Sequence, residues 1–174
     1  MKTSEKTLFL VQAALIAALY VVLTDLANRL GLASQAIQVR FSEALTILPL
    51  FTPAAIPGLC IGCILANLLT GAVVWDIVFG SLATLLGAVG TYAVGKLSFK
   101  SKKWLAPLPP IIANTLIIPW ILSLAYQLEG SIPYFMLTIG AGELISCGIL
   151  GMLLLLALEK HARYIFQMNQ DGSL

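Results

Sequence analysis

Charged side chains are scarce in this chain. Only 10% of its 174 residues are charged, while 59% are hydrophobic. Soluble domains carry about 25% charged residues, so a water-soluble fold is excluded as the default, in keeping with a mean hydropathy of +0.96. Histidine occurs once, as His161 near the C-terminal end, which excludes Ser–His, Cys–His and histidine–metal sites within the apolar runs. No G-x-x-x-x-G-K-[ST] phosphate loop is present, so the chain has no ATPase motif of its own. A net charge of +2, with no basic stripe interleaved with aromatics, argues against nucleic acid. Cysteine is limited to Cys60, Cys63 and Cys147. The "CIGC" pair lies in an apolar run where a thiolate would be desolvated. With no second pair and no nearby histidine, no metal site or cofactor is expected, and all three cysteines read as small packing residues. No internal repeat is visible, which argues against an inverted-repeat carrier.

Long apolar runs are what the chain has. A bilayer core of about 30 Å takes about 20 apolar residues per helix. The runs predict segments from Thr7 to Asn28, Phe41 to Phe51, Pro53 to Thr70, Asp76 to Lys96, Ile111 to Tyr126 and Pro133 to Glu159. That amounts to about six membrane segments in a single all-α membrane domain covering residues 1–174. Short cytoplasmic parts are expected at about 1–6, 97–107 and 160–174. The first run has no small-residue cleavage site at its end and reads as a retained helix rather than a signal peptide. The second segment is short and proline-flanked, by Pro49, Pro53 and Pro57, and predicts a broken helix packed against protein or a wet cavity.

Charge sorting sets the expected orientation. With both termini cytoplasmic, the inside receives Lys2, Lys6, Lys96, Lys100, Lys102, Lys103, Lys160 and Arg163, and the outside only Arg29 and Arg40, as the positive-inside rule requires. Asp25, Glu43, Asp76, Glu129 and Glu143 then lie on the outer side or within the membrane, and Glu5, Glu159 and Asp171 inside. Glu143 falls about ten residues into the last span, where a carboxylate is costly unless paired or hydrated and marks a functional site. Asn67 and Asn114 are intramembrane amides suited to interhelical hydrogen bonds or ligand contact. Asp25 and Asp76, near helix ends, do not suit a paired-aspartate protease, and no enzyme is expected. A stand-alone ion-coupled carrier with Glu143 as titrating group is one open reading.

The stretches "VRFSEALTILPLFTPAAIPGL", "CILANLL", "WDIVFGSLATLLGA" and "GAGELI" resemble the QueT family, queuosine-precursor transporters that act as substrate-binding S components of energy-coupling factor (ECF) importers. The "AALIAAL" of the first span fits the same pattern, and the resemblance covers nearly the whole chain. It implies a six-transmembrane-helix bundle with an outward-opening cavity. It also implies a transmembrane coupling subunit and two cytosolic ATPases as partners. The implied substrates are deazaguanine bases in aminomethyl or cyano form, with queuine as a further candidate. S components for other heteroaromatic micronutrients share the frame.

The residue inventory suits such a base. Its two parallel N–H donors match a carboxylate fork, its carbonyl an amide or arginine donor, and its flat bicycle an aromatic face. The expected substrate-binding residues are Glu143, Glu43, Arg40, Asn67, Trp75, Asp76, Asn114 and Trp120, with Phe41 and Tyr126 as further faces. Arg40 and Glu43 would stand at the extracellular mouth, or form no more than an interfacial ion pair. In the first span, Ala13 with Ala17 and Ala14 with Ala18 give two small-residue registers four apart, each able to admit another helix closely. The S-component resemblance implies that one of them docks the coupling subunit.

Overall fold

A computed structural model describes residues 3–32, 38–98, 102–162 and 166. Lys2, Lys100, Arg163 and Asp171 of the charge count, and most of the expected C-terminal tail, lie outside them. Among the described residues there is no strand. The elements run α1 (Thr3–Arg29), a 3-10 helix (Phe41–Leu50), α2 (Ala55–Leu69), α3 (Val74–Gly95), the short α4 (Lys102–Leu105), α5 (Leu108–Leu124), α6 (Ile132–Glu143), a π segment (Leu144–Leu150) and α7 (Gly151–Glu159). The last three are continuous. Among the described residues, four stretches are long and apolar enough to cross a membrane: Glu5–Arg29, Val74–Gly95, Lys102–Leu124 and Ile132–Glu159. The 3-10 helix and α2 are shorter apolar helices. The protein is therefore an all-helical membrane protein.

Local chemistry explains the breaks. α1 and α2 both end in a left-handed glycine, Gly31 (φ 71°) and Gly71 (φ 73°). The N–H of Leu32 returns to Ala27 and that of Gly31 to Asn28; Ala72 returns to Asn67 and Gly71 to Leu68 in the same way. This double return is the Schellman stop, which satisfies the last carbonyls of a helix. α6 starts at Ser131, whose hydroxyl accepts from the Tyr134 N–H at 3.4 Å, with Pro133 at a position where its missing N–H costs nothing.

The proline-flanked segment is a ten-residue 3-10 helix, with Ser42 to Pro49 buried. Runs of this kind seldom exceed four residues. At about 2.0 Å per residue, a 3-10 helix of this length reaches about 20 Å where an α-helix would reach about 15 Å. A short sequence thus crosses more of the bundle. Its irregular backbone is shielded by protein, the condition for such geometry at membrane depth.

Close approach is made by small residues. A Cβ at Gly58 would lie 2.8 Å from the Ala13 carbonyl oxygen, and one at Gly62 would lie 3.0 Å from the Ala17 Cα. α1 and α2 therefore touch backbone to backbone, and Ala13 and Ala17 are buried in that seam. Ala14 and Ala18 are exposed. The Ala13/Ala17 register is internal packing and cannot be a docking face; of the two expected registers, only Ala14/Ala18 is free to meet a partner. On the opposite side, Gly87 and Gly90 of α3 receive Pro110 and Pro109 of α5, leaving no room for a Cβ. A core of Ile16, Tyr20, Ile47, Leu59 and Leu155 lies between these seams.

Candidate functional site

The polar side chains gather around the start of the 3-10 helix. Arg40 precedes it in an extended conformation (φ −102°, ψ 112°), and its backbone N–H donates to Ser146 Oγ at 3.2 Å on the π segment. The guanidinium turns toward α3, with Nη2 3.7 Å from Asp76 Oδ2. Tyr126, just past α5, donates its hydroxyl to the same Asp76 oxygen at 3.0 Å. Burial first, then the charge on Asp76, pushes the Tyr126 phenol above the ordinary tyrosine range, so it stays a protonated donor at neutral pH. Asn67 closes the group by donating Nδ2 to the Asp76 carbonyl at 3.3 Å.

The alternative of an interfacial Arg40–Glu43 ion pair does not hold: Arg40 pairs with Asp76 instead. Glu43 is only 2% exposed, and one of its oxygens accepts from the Tyr20 hydroxyl of α1. Glu143, at the junction of α6 and the π segment, is 7% exposed. Its Oε2 accepts from the Cys147 thiol at 3.1 Å. The Asn114 carboxamide of α5 faces both glutamates. Glu43, Glu143 and Asn114, together with Arg40, Gln38 and Thr84, line one small chamber of about 10 Å³. That is about the space of one water molecule.

Beside it lies a vestibule of about 220 Å³, lined by Thr24, Asn28, Gln38, Arg40, Asn67, Asp76 and Tyr126 among others. Gln38 and Arg40 belong to both spaces and form the partition between them. The vestibule is smaller than the roughly 300–1,000 Å³ typical of drug-sized ligand pockets and suits a small polar molecule. Buried polar atoms without a close partner belong to residues of both spaces: Asp76 Oδ1 to the vestibule, Glu43 Oε2 and Asn114 Nδ2 to the chamber. An unsatisfied buried group costs about 1–3 kcal/mol. The three are two acceptors and one donor, each open to a further hydrogen bond.

Six of the eight expected residues are thus brought together: Arg40, Glu43, Asn67, Asp76, Asn114 and Glu143. Trp75 and Trp120 stand apart. They are 61% and 54% exposed and line an outward apolar groove with Phe79, Leu116 and Leu124. Trp75 stacks on Phe79 at 5.9 Å. Such placement fits the aromatic belt of a membrane interface. Tyr126 is the aromatic side chain that lines the vestibule. The Asp25 carboxylate is outside as well, paired with Arg29 at 2.6 Å on an exposed face.

Tyr20, Gln38 and Cys147 were not read as site residues from sequence. Tyr20 is a lone hydroxyl among apolar neighbours, and Cys147 follows Glu143 by four residues, hence on one helix face. Those were the available signals. Gly142 is a further one. A Cβ there would lie 2.1 Å from the Gln38 carbonyl oxygen, so the strand of chain bearing Gln38 and Arg40 rests directly on α6. Gly142→Ala is expected to force that strand away and cost about 1–3 kcal/mol, the scale of overpacking. Thermal unfolding in detergent checks this, and an unchanged Tm would mean that the strand yields without cost.

No curated protein and no solved structure matches the chain. The family model described as QueT transporter matches residues 10–160, most of its length, and the chain belongs to that family.

Proposed function

We propose that this transporter is the substrate-binding S component of an ECF importer for queuosine-precursor bases, folded as a single domain of six membrane helices. In this reading the 3-10 helix and α2 count as the second and third spans beside the four long ones. The observation that carries it is the convergence of unpartnered Glu43, Asp76 and Asn114 atoms on a vestibule and chamber joined at Arg40. A deazaguanine edge supplies the complement: two N–H donors for a carboxylate, a carbonyl for Asn114 or Arg40, and in the aminomethyl form a cation for a second carboxylate. Tyr126 offers an aromatic face. Taking the base into the inner chamber requires Gln38 and Arg40 to move aside.

The chain lacks a phosphate loop, so ATP hydrolysis would fall to two cytosolic ATPases acting through a transmembrane coupling subunit. The test is binding of a panel of deazapurines to the purified chain by thermal shift. A specific ligand raises the melting temperature by mass action. If no deazaguanine does so while another heteroaromatic does, the substrate assignment fails. Uptake abolished by uncouplers in the absence of ATPase partners would replace the reading with an ion-coupled carrier.

Orientation follows from the basic residues, with the vestibule outside and both termini cytoplasmic. In a Cys60→Ser background, Ser98→Cys is expected to be labelled by an impermeant maleimide only from the cytoplasm, and Ser131→Cys only from outside. Both serines are exposed in loops. The reverse pattern would place the vestibule on the cytoplasmic side.

A further inference from the structure

Glu43, Glu143 and Cys147 are all buried, and one ligand atom from each lies within 4.8 Å of the others. They come from two elements, the 3-10 helix and the α6–π junction, about a hundred residues apart in sequence, so neighbouring spacing could not reveal the group. We propose that these three side chains bind one transition-metal dication of the zinc type, with the fourth coordination position open toward Asn114.

The donor set favours this class. Two carboxylates alone would suit a hard cation, but a thiol among them selects a borderline metal. Zinc takes carboxylate oxygen at about 2.0–2.2 Å and sulfur at about 2.3 Å, which sets tetrahedral ligand atoms about 3.3–3.8 Å apart. Cys147 Sγ and Glu143 Oε2, at 3.1 Å, are already near that spacing. Glu43 completes the set with a shift of about 1 Å.

Independent features support a ligand here. Glu43 Oε2, on a side chain only 2% exposed, has no partner. The other Glu43 oxygen is held by the Tyr20 hydroxyl, the outer contact that orients a ligating carboxylate. The Thr46 hydroxyl donates to the Glu43 backbone carbonyl at 2.6 Å and lies 3.4 Å from the sulfur, packing the two ligand-bearing elements together. Charge agrees as well. The nearby cation, Arg40, makes its ion pair with Asp76 rather than with either glutamate. With Gln38 and Arg40 in place, the chamber of about 10 Å³ takes an ion or one water and nothing larger, so the metal and the base are alternative occupants of these carboxylates. On binding, the Cys147 thiol loses its proton to solvent and the sulfur–metal bond replaces its hydrogen bond to Glu143.

The test titrates the purified full chain in detergent with Co²⁺ as a spectroscopic stand-in for zinc. A thiolate-to-cobalt charge-transfer band saturating at one equivalent is expected, retained in Cys60→Ser and Cys63→Ser and lost in Cys147→Ser. A second measurement leaves the site intact. In the Cys60→Ser/Cys63→Ser protein, zinc is expected to displace the cobalt and abolish the band, and Glu143→Gln to weaken cobalt binding at least tenfold. No band in the unaltered chain, a band that survives Cys147→Ser, or a cobalt affinity indifferent to Glu143→Gln would each overturn the site. No substrate enters either measurement, so the result stands apart from the identity of the transported base.

Discussion

Replacing Glu143 by glutamine is expected to weaken binding of the aminomethyl deazaguanine base by about 10- to 150-fold. Removing a charged hydrogen-bond partner costs about 1.5–3 kcal/mol, and every 1.4 kcal/mol is tenfold in Kd. The substitution keeps the side chain's length and volume, so the α6–π junction has no packing reason to rearrange. It also removes a buried carboxylate lying opposite Glu43 in the same chamber, which relieves like-charge repulsion. The variant is therefore expected to be at least as stable as the parent without ligand. This opposition of effects makes the experiment decisive. A destabilised variant with lost affinity would speak of damage to the fold. A stable variant with lost affinity assigns Glu143 to the ligand. Isothermal titration with the base, alongside thermal unfolding without it, separates the two. A stable variant with unchanged affinity would leave Glu143 a structural group, and the carboxylate fork would pass to Glu43.

The limits of what could be read from sequence are themselves physical. Helix ends were legible because prolines and glycines act locally: the break around Pro49 and Pro53, the stop at Gly71 and the start at Pro133 each follow from backbone chemistry at one or two residues. That Glu143 would turn inward was legible because a carboxylate in the middle of an apolar span has no cheap resting place against lipid. The partner of Arg40 was not. Arg40 and Glu43 are three apart and look like a pair, but Arg40 sits in extended backbone before the helix begins, so helical spacing does not apply to it. Its guanidinium crosses to Asp76 on α3. The tryptophans were misleading for a related reason. Successive residues on a helix differ by about 100° of rotation, so when Asp76 turns inward its neighbour Trp75 must turn out. Which of the two faces the cavity is decided by how α3 packs on α2 and α5, and that is not written in the local sequence. The ten-residue 3-10 run was equally hidden, since its sequence carries the same apolar residues that an α-helix would.

The alanine registers of α1 illustrate the same point, and they carry the last prediction. Ala13 and Ala17 face α2 at Gly58 and Gly62, where an added Cβ would come within about 3 Å of the α1 backbone. Ala14 and Ala18 stand on the outer face, beside Leu10, Leu15 and Val22. A tryptophan at Ala13 or Ala17 has no space and is expected to disrupt the α1–α2 seam, displace Tyr20 from Glu43 and lose ligand affinity together with stability. A tryptophan at Ala14 or Ala18 meets only lipid in the isolated chain, so folding and ligand affinity are expected to stay as in the parent. If the coupling subunit packs its own helix on this small-residue face, the same substitution removes the close approach that drives association of membrane helices. Co-purification with the partner subunits and ATP-dependent uptake are then expected to be lost while the thermal shift by ligand persists. Ala14→Trp and Ala18→Trp variants that assemble and transport normally would move the docking surface elsewhere on the bundle. Variants that lose ligand binding too would show that the outer face of α1 is coupled to the vestibule rather than to a partner.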